Sequence, residues 1–317
     1  MTKRRKPRQL RLKVYRGSGG QPPKLPSGEL LLEYFSDHDV LAWRAKSKDV
    51  QQYHYLWYFE LEAQRAAHQQ QIIDALRSVP EIAIDLSGWG RAMPYKYSNT
   101  PLSCVGSLKW VGGRFNYGTD IDSTRFAPFP ALYLAEDMET GLREMQGLTR
   151  ENSRAELTAS ELNFCAKNGV TWAAVTGKVS NIFDLTRSET LEEFAIILSR
   201  FKLSKAVRDA ENKLGAIPLR LITTADELIS SFMLENWREY PSVVNTPANS
   251  QLFGHLLSIA GFEGARFSST RTQKNNLVLF PRQFKNSAST VCVLKPPTNA
   301  HCCELSAVTY KELEIGS

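Results

Sequence analysis

Apolar residues recur by threes, fours and their sums between 53 and 79 (Leu56, Phe59, Ala63, Ala66, Ile73, Leu76), which predicts one long helix stopped by Pro80. At 1.5 Å per residue it would run roughly 35–40 Å. Its first turns carry Tyr53, Tyr55, Trp57, Tyr58 and Phe59. Aromatics at helical spacing usually pack on a core; the alternative is a helix that docks a partner or a second copy in a homodimer. Beyond Pro80 the pattern changes. Residues 81–86 read as a strand, 88–117 as an irregular aromatic stretch with glycines, and 129–135 as a buried strand. Asp137 caps a helix whose body is 138–148. Strands over 170–176, 264–267, 277–280 and 290–294 and helices over 189–201, 224–239 and 250–260 complete the chain. They interleave without a βαβ rhythm, so the fold class is α+β and not doubly wound.

Composition narrows the class of protein. Over 317 residues, 42% are hydrophobic and 23% charged, which is globular and neither disordered nor fibrous. The net charge of +6 suggests nucleic acid until its placement is read. Residues 1–16 hold eight Lys and Arg and no Asp or Glu, so the rest of the chain carries −2. Basicity belongs to a tail, followed by a Gly/Pro-rich linker over 17–28. We therefore divide the chain into the tail and linker (1–28), an N-terminal helical extension (29–89) and a main domain (90–317). No apolar run reaches the 18 or so residues that cross a bilayer, and no apolar segment follows the basic start, so the expected location is the cytoplasm. The five cysteines have no Cys-x-x-Cys spacing. His301, Cys302 and Cys303 lack a distant second pair, so no metal site is expected.

Common catalytic signatures are absent: there is no Walker A loop, no G-x-S-x-G elbow and no H-E-x-x-H. Helix phase singles out Glu144. On a helix over 137–148, Gly141, Leu142, Met145 and Leu148 share a face, while Glu139 and Arg143 form an i, i+4 pair pointing away. Glu144 borders the apolar face, where a carboxylate needs either an internal partner or a catalytic purpose.

The segments Trp110-Val-Gly-Gly-Arg114-Phe-Asn116, Leu132-Tyr133-Leu-Ala135 and Leu142-Arg-Glu144 together resemble the RES domain, the toxin half of Xre–RES toxin–antitoxin pairs. Asp184-Leu-Thr186, Ser250-Gln251, Gly264 to Arg271 and Asn276 to Phe280 continue the likeness, which covers roughly residues 90–285. Three departures stand out. Nineteen residues separate Arg114 from Tyr133, so 117–129 looks like an inserted loop; Phe115 stands where Trp is common; the first ninety residues have no counterpart.

The resemblance implies an ADP-ribosyltransferase-like fold, a central split β-sheet flanked by helices. It also implies cleavage of NAD at the nicotinamide–ribose bond, with ADP-ribose passed to water or phosphate, NAD being a substrate and no cofactor being needed. Arg114 would hold the diphosphate through forked hydrogen bonds. Tyr133 would stack on the nicotinamide, and Glu144 would stabilise the positive charge on the sugar. Ser269 would contact NAD or orient Glu144, with Ser268 as the alternative serine, and Asn116 and Arg271 would be further NAD contacts. An antitoxin protein is the implied partner. Read without the resemblance, Arg114 could be a surface arginine, Tyr133 an ordinary strand aromatic and Ser269 a loop residue. Two other functions remain open: a protein ADP-ribosyltransferase acting on a host factor, and a non-catalytic protein binding nucleic acid or a partner through its tail, which the slightly acidic body argues against.

Overall fold

A computed structural model describes residues 37–148, 158–167, 169–215, 218–272 and 274–314; the basic tail and the 17–28 linker lie outside the described residues. The chain divides into two compact units, Met1–Asp49 and Val50–Ser317. The described residues of the first are helical. The remaining described residues belong to the second.

The long helix is two. α1 (Asp37–Ala67) ends at His68, whose φ of −104° and ψ of 10° leave helical geometry, and α2 (Gln69–Arg77) restarts at once. The imidazole bonds back to the Gln64 carbonyl at 2.9 Å. Only α2 has the narrow apolar stripe, burying Ile72, Ile73, Ala75 and Leu76. Two strands follow, β1 (Ile82–Asp85) and β2 (Gly90–Pro94), the second lying inside the stretch expected to be irregular. Then come α3 (Val105–Leu108), β3 (Leu132–Ala135), α4 (Met138–Gln146), α5 (Ala159–Lys167) and a long β4 (Val170–Asp184). The helices α6 (Glu192–Leu198), α7 (Lys205–Leu214), α8 (Ala225–Phe232) and α9 (Asn249–Ala260) precede β5 (Gly264–Ser268), β6 (Asn275–Leu279), β7 (Thr290–Val293) and β8 (Glu304–Leu305). The helix expected over 224–239 stops at Phe232, and residues 233–238 are turns and irregular chain before a π-helical turn at Tyr240–Val244.

All eight strands join one mixed sheet in the order β2-β3-β6-β5-β4-β7-β8, with β1 also on β4. The sheet was expected to be split, but among the described residues it is continuous, because β4 is long enough to join its parts. The first residues of β4 pair antiparallel with β2, its middle with β7 and β1, and its last three residues parallel with β5. Because β2 also touches β3, the path β2-β3-β6-β5-β4 returns to its start and the sheet curls around a concave face.

Side chains alternate across a strand, so the sheet feeds two cores. Leu277 and Leu279 of β6 enter one with Val175, Val179, Ile182 and Leu132; Val278 enters the other with Phe183, Phe253, Ala265 and Phe280. The supposed inserted loop belongs to the second core. Tyr117, Ile121, Phe126 and Phe129 are buried there, and Phe126 lies edge-on to Tyr58 of α1, so the loop is packed and not a loose excursion. The aromatic part of α1 packs on the body: His54 and Tyr58 are buried, and the His54 imidazole meets Thr246 Oγ1 at 2.9 Å.

Burial among Trp57, Tyr58 and Tyr240 holds His54 neutral, pushing its pKa down to about 4. Below the ordinary value near 6.5 the unfolded chain takes up the proton first, so this stability is complete above that pH and drains away toward pH 4. Urea unfolding at pH 5 should therefore show a loss of roughly 1–2 kcal/mol from His54 relative to pH 7.5. His54→Gln should show a visibly smaller pH difference; an identical difference in both proteins would assign the effect elsewhere.

Candidate active site

The concave face opens into a cleft of about 640 Å³, within the usual range for small-molecule sites. Three cross-strand neighbours form its floor: Ala135, Asn276 and Phe267 stand in register on β3, β6 and β5, with Tyr133 two residues along.

Arg114 is delivered by the Val111–Asn116 backbone, which is held from inside. Gly112 has φ +89°, a conformation open chiefly to glycine, and a Cβ on Gly113 would fall against the Tyr133 hydroxyl and within 2.7 Å of Asn116 Oδ1. Two fully buried amides fasten the loop. Gln251 Nε2 of α9 donates to the carbonyls of Val111, Gly113 and Asn116 at 2.8, 3.0 and 2.9 Å. Asn116 Nδ2 donates to the carbonyls of Ser107 and Phe129, while its Oδ1 accepts from Gly113 N–H at 3.0 Å and from the Tyr133 hydroxyl at 2.9 Å. The Tyr133 hydroxyl in turn accepts the Phe115 N–H at 2.9 Å.

Arg114 is half-buried and spends one nitrogen, Nη1, on the carbonyls of Phe232 and Leu234 at 2.9 and 2.8 Å. A cation thus satisfies the last carbonyl of α8, where the helix dipole is negative, and one just beyond it. Trp237 is buried beside it, its ring 5.8 Å from the Arg114 guanidinium and 4.5 Å from that of Arg238. Burial lowers the Arg114 pKa, and the charges of Arg238 and Arg271 add to the lowering while Glu144 opposes it. Arg271 lies 3.7 Å from the Glu235 carboxylate. Among the described residues, the cleft is lined by five cationic side chains, Arg91, Lys109, Arg114, Arg238 and Arg271, against two carboxylates, Glu144 and Glu235.

Glu144 projects into this field from α4, whose start is capped by Asp137 accepting from Thr140 N–H at 2.8 Å and whose end is the left-handed Gly147. Ser269 Oγ donates to Glu144 Oε1 at 2.5 Å and Asn276 Nδ2 donates to the same oxygen at 3.0 Å. Ser269 Oγ also accepts the N–H groups of Arg271 and Thr272, fixing the turn after β5. Ser268 instead pairs with Asn275 in the ladder and is exposed, so Ser269 is the serine that reaches Glu144.

A sequence model of the RES domain matches residues 89–298, a span that carries every one of these side chains. The chain belongs to the RES-domain family. A solved structure similar to it is that of the M. tuberculosis MbcT–MbcA toxin–antitoxin complex, at 16% identity over 77% of this chain and 96% of that chain, with a TM-score of 0.39. No curated protein matches.

Within this RES domain, Arg114, Tyr133, Glu144 and Arg271 line one cleft, and Ser269 sits behind Glu144. Asn116 does not line it. With no exposed surface and its amide saturated, it acts through Gly113 and Tyr133 instead of touching a ligand. Tyr133 presents its ring to the cleft while its hydroxyl is bonded within the protein; burial raises its pKa, so the phenol stays protonated. The expected outward direction of Arg143 is also corrected. Its side chain is 2% exposed and bonds Glu139 at 2.8 Å and Glu161 of α5 at 2.5 Å, whereas Met145 is exposed. A helical wheel places charge outward by default, and only the docking of α5 reverses it. Trp237, Arg238 and Glu235, which the sequence reading places inside one helix over 224–239, lie instead in the segment between α8 and the π-helical turn.

Gln251→Leu would leave three buried carbonyls without their shared donor. Equilibrium unfolding should register a loss of about 3 kcal/mol, as expected for a buried network broken on one side. A loss under about 1 kcal/mol would mean that water replaces the amide.

Proposed function

We propose that this RES domain cleaves NAD between nicotinamide and ribose and passes ADP-ribose to water or phosphate. The observation that carries the reading is the pairing of one immobilised carboxylate with an excess of guanidinium groups in a single cleft. A cleft of that charge selects an anion, and forked guanidinium donors suit a diphosphate. Family membership supplies the expectation that the anion belongs to a dinucleotide.

When the C1′–N bond breaks, its electron pair leaves with nicotinamide and positive charge develops on the ribose. Glu144 stabilises that charge or accepts the 2′-hydroxyl hydrogen bond, as carboxylates do in glycoside chemistry. Its Oε1 is already committed to Ser269 and Asn276, and among the described residues no donor reaches Oε2, so Oε2 is the atom that meets the sugar. Arg114, braced at Nη1, offers its remaining N–H groups to the diphosphate. Tyr133 gives its ring face to the departing base. Water or phosphate then adds at C1′ and loses a proton. An activity that drains NAD needs restraint, which fits a toxin held by an antitoxin protein.

Purified protein should release nicotinamide from NAD, with Glu144→Gln slowing kcat at least about 100-fold, the scale of losing a transition-state charge stabiliser. Arg114→Lys should raise KM by about tenfold or more, since a lysine cannot supply the fork. Equal rates for wild type and Glu144→Gln would sink the mechanism. Labelled NAD should leave no label on protein; a persistently labelled band would make the chain a protein ADP-ribosyltransferase.

A further inference from the structure

We propose that Asn276 is a positioning residue for Glu144, and that Asn276 and Ser269 form a clamp on one carboxylate oxygen that reserves the other for the substrate. This rests on the reading of the cleft as an NAD site. Asn276 opens the β6 ladder beside Phe267 and Ala135, is 6% exposed, and sends Nδ2 to Glu144 Oε1 at 3.0 Å. Ser269 approaches the same oxygen at 2.5 Å from the turn after β5. The two donors come from one antiparallel hairpin, Asn276 from its β6 arm and Ser269 from the turn after β5, whereas Glu144 comes from α4. The clamp therefore ties a helix to a sheet across the cleft.

The chemistry favours this arrangement over a single donor. A glutamate has three side-chain torsions, and one hydrogen bond to Oε1 leaves the carboxylate able to swing about that oxygen. A second donor, the Asn276 side-chain amide carried on a strand that cannot follow the swing, fixes the plane. Donors on both oxygens would compete with the sugar. Donors confined to Oε1 leave Oε2 charged and uncommitted, the state that stabilises an oxocarbenium-like centre. The neighbouring Asn275 provides an internal contrast, since its amide bonds Glu136 at 2.8 Å and serves the turn.

The test compares Asn276→Ala and the isosteric Asn276→Asp, which replaces the donor by an acceptor, with Asn275→Ala. A positioning role predicts that kcat for nicotinamide release falls roughly 10- to 100-fold in Asn276→Ala, the range for a hydrogen bond to a charged group, with KM for NAD almost unchanged. Asn276→Asp should fall further, and Asn275→Ala should match wild type. In parallel, the Glu144 side-chain carboxyl resonance in ¹³C-labelled protein, assigned by its loss in Glu144→Gln, should move in both Asn276 variants and stay in place in Asn275→Ala. A kcat within about twofold of wild type, an equal fall in Asn275→Ala, or a rise in KM at constant kcat would overturn the proposal. Should wild type release no nicotinamide, the NAD reading fails by itself and the carboxyl resonance alone decides the clamp.

Discussion

The backbone from Val111 to Asn116 turns its carbonyls into the protein, where an unpaired one costs as much as a lost hydrogen bond or more. Two side-chain amides from separate parts of the fold meet that demand. Gln251 reaches three of the carbonyls from α9, and Asn116 closes the loop on itself and on the Tyr133 hydroxyl of β3. The loop is thereby rigid with respect to both a helix and the sheet. Arg114 leaves it at a defined point and can reach the end of α8 while still lining the cleft. Gly112 and Gly113 follow from the same constraint, because the turn needs a positive φ and the Tyr133 hydroxyl needs the space of a missing Cβ.

With the loop in place, the electrostatics of the cleft follow. Arg114 comes from the loop, Arg238 from the segment after α8 and Arg271 from the turn after β5, and mutual repulsion together with burial lowers the Arg114 pKa. Carbonyls, the Trp237 ring and Glu235 offset part of that cost. An anion beside these guanidinium groups would offset more, through charge-assisted hydrogen bonds. Glu144 must remain available in the same field without being drawn onto a guanidinium, and neutral donors from Ser269 and Asn276 hold it away from that alternative.

Much of this was legible because the decisive patterns are local. The glycine pair before Arg114, the short apolar strand around Tyr133 and the Asp137-capped helix bearing Glu144 each occupy a few consecutive residues, and local geometry confines them. What escaped depends on distant partners. Arg143 reads as solvated until α5 brings Glu161 to it. Asn116 reads as a ligand contact because a sequence does not reveal that an amide is already saturated. Asn276 and Gln251 were seen only as members of a familiar string, since their roles exist only once β6 and α9 lie against α4 and the loop. The choice between Ser268 and Ser269 turned on strand parity, which no count of polar neighbours supplies.

The parts that lie outside the matched domain also converge on the cleft. Tyr58 of α1 meets Phe126, and Arg125 lies 4.6 Å over the Phe59 ring, so the aromatic part of α1 packs on the 117–129 loop. That loop reaches α9 through Tyr117 and Phe129, both against His255, one turn from Gln251. At the other end of the chain, His301, Cys302 and Leu313 bond to Asn99, Leu102 and Cys104 through their backbones, bracing the segment that presents Thr100 and Ser103 to the cleft. Among the described residues, neither addition supplies a group to Glu144. Among the described residues, the side chains that line the cleft and the two donors to Glu144 all come from within 89–298, so the segments outside that span act on the cleft only through the packing of its neighbours.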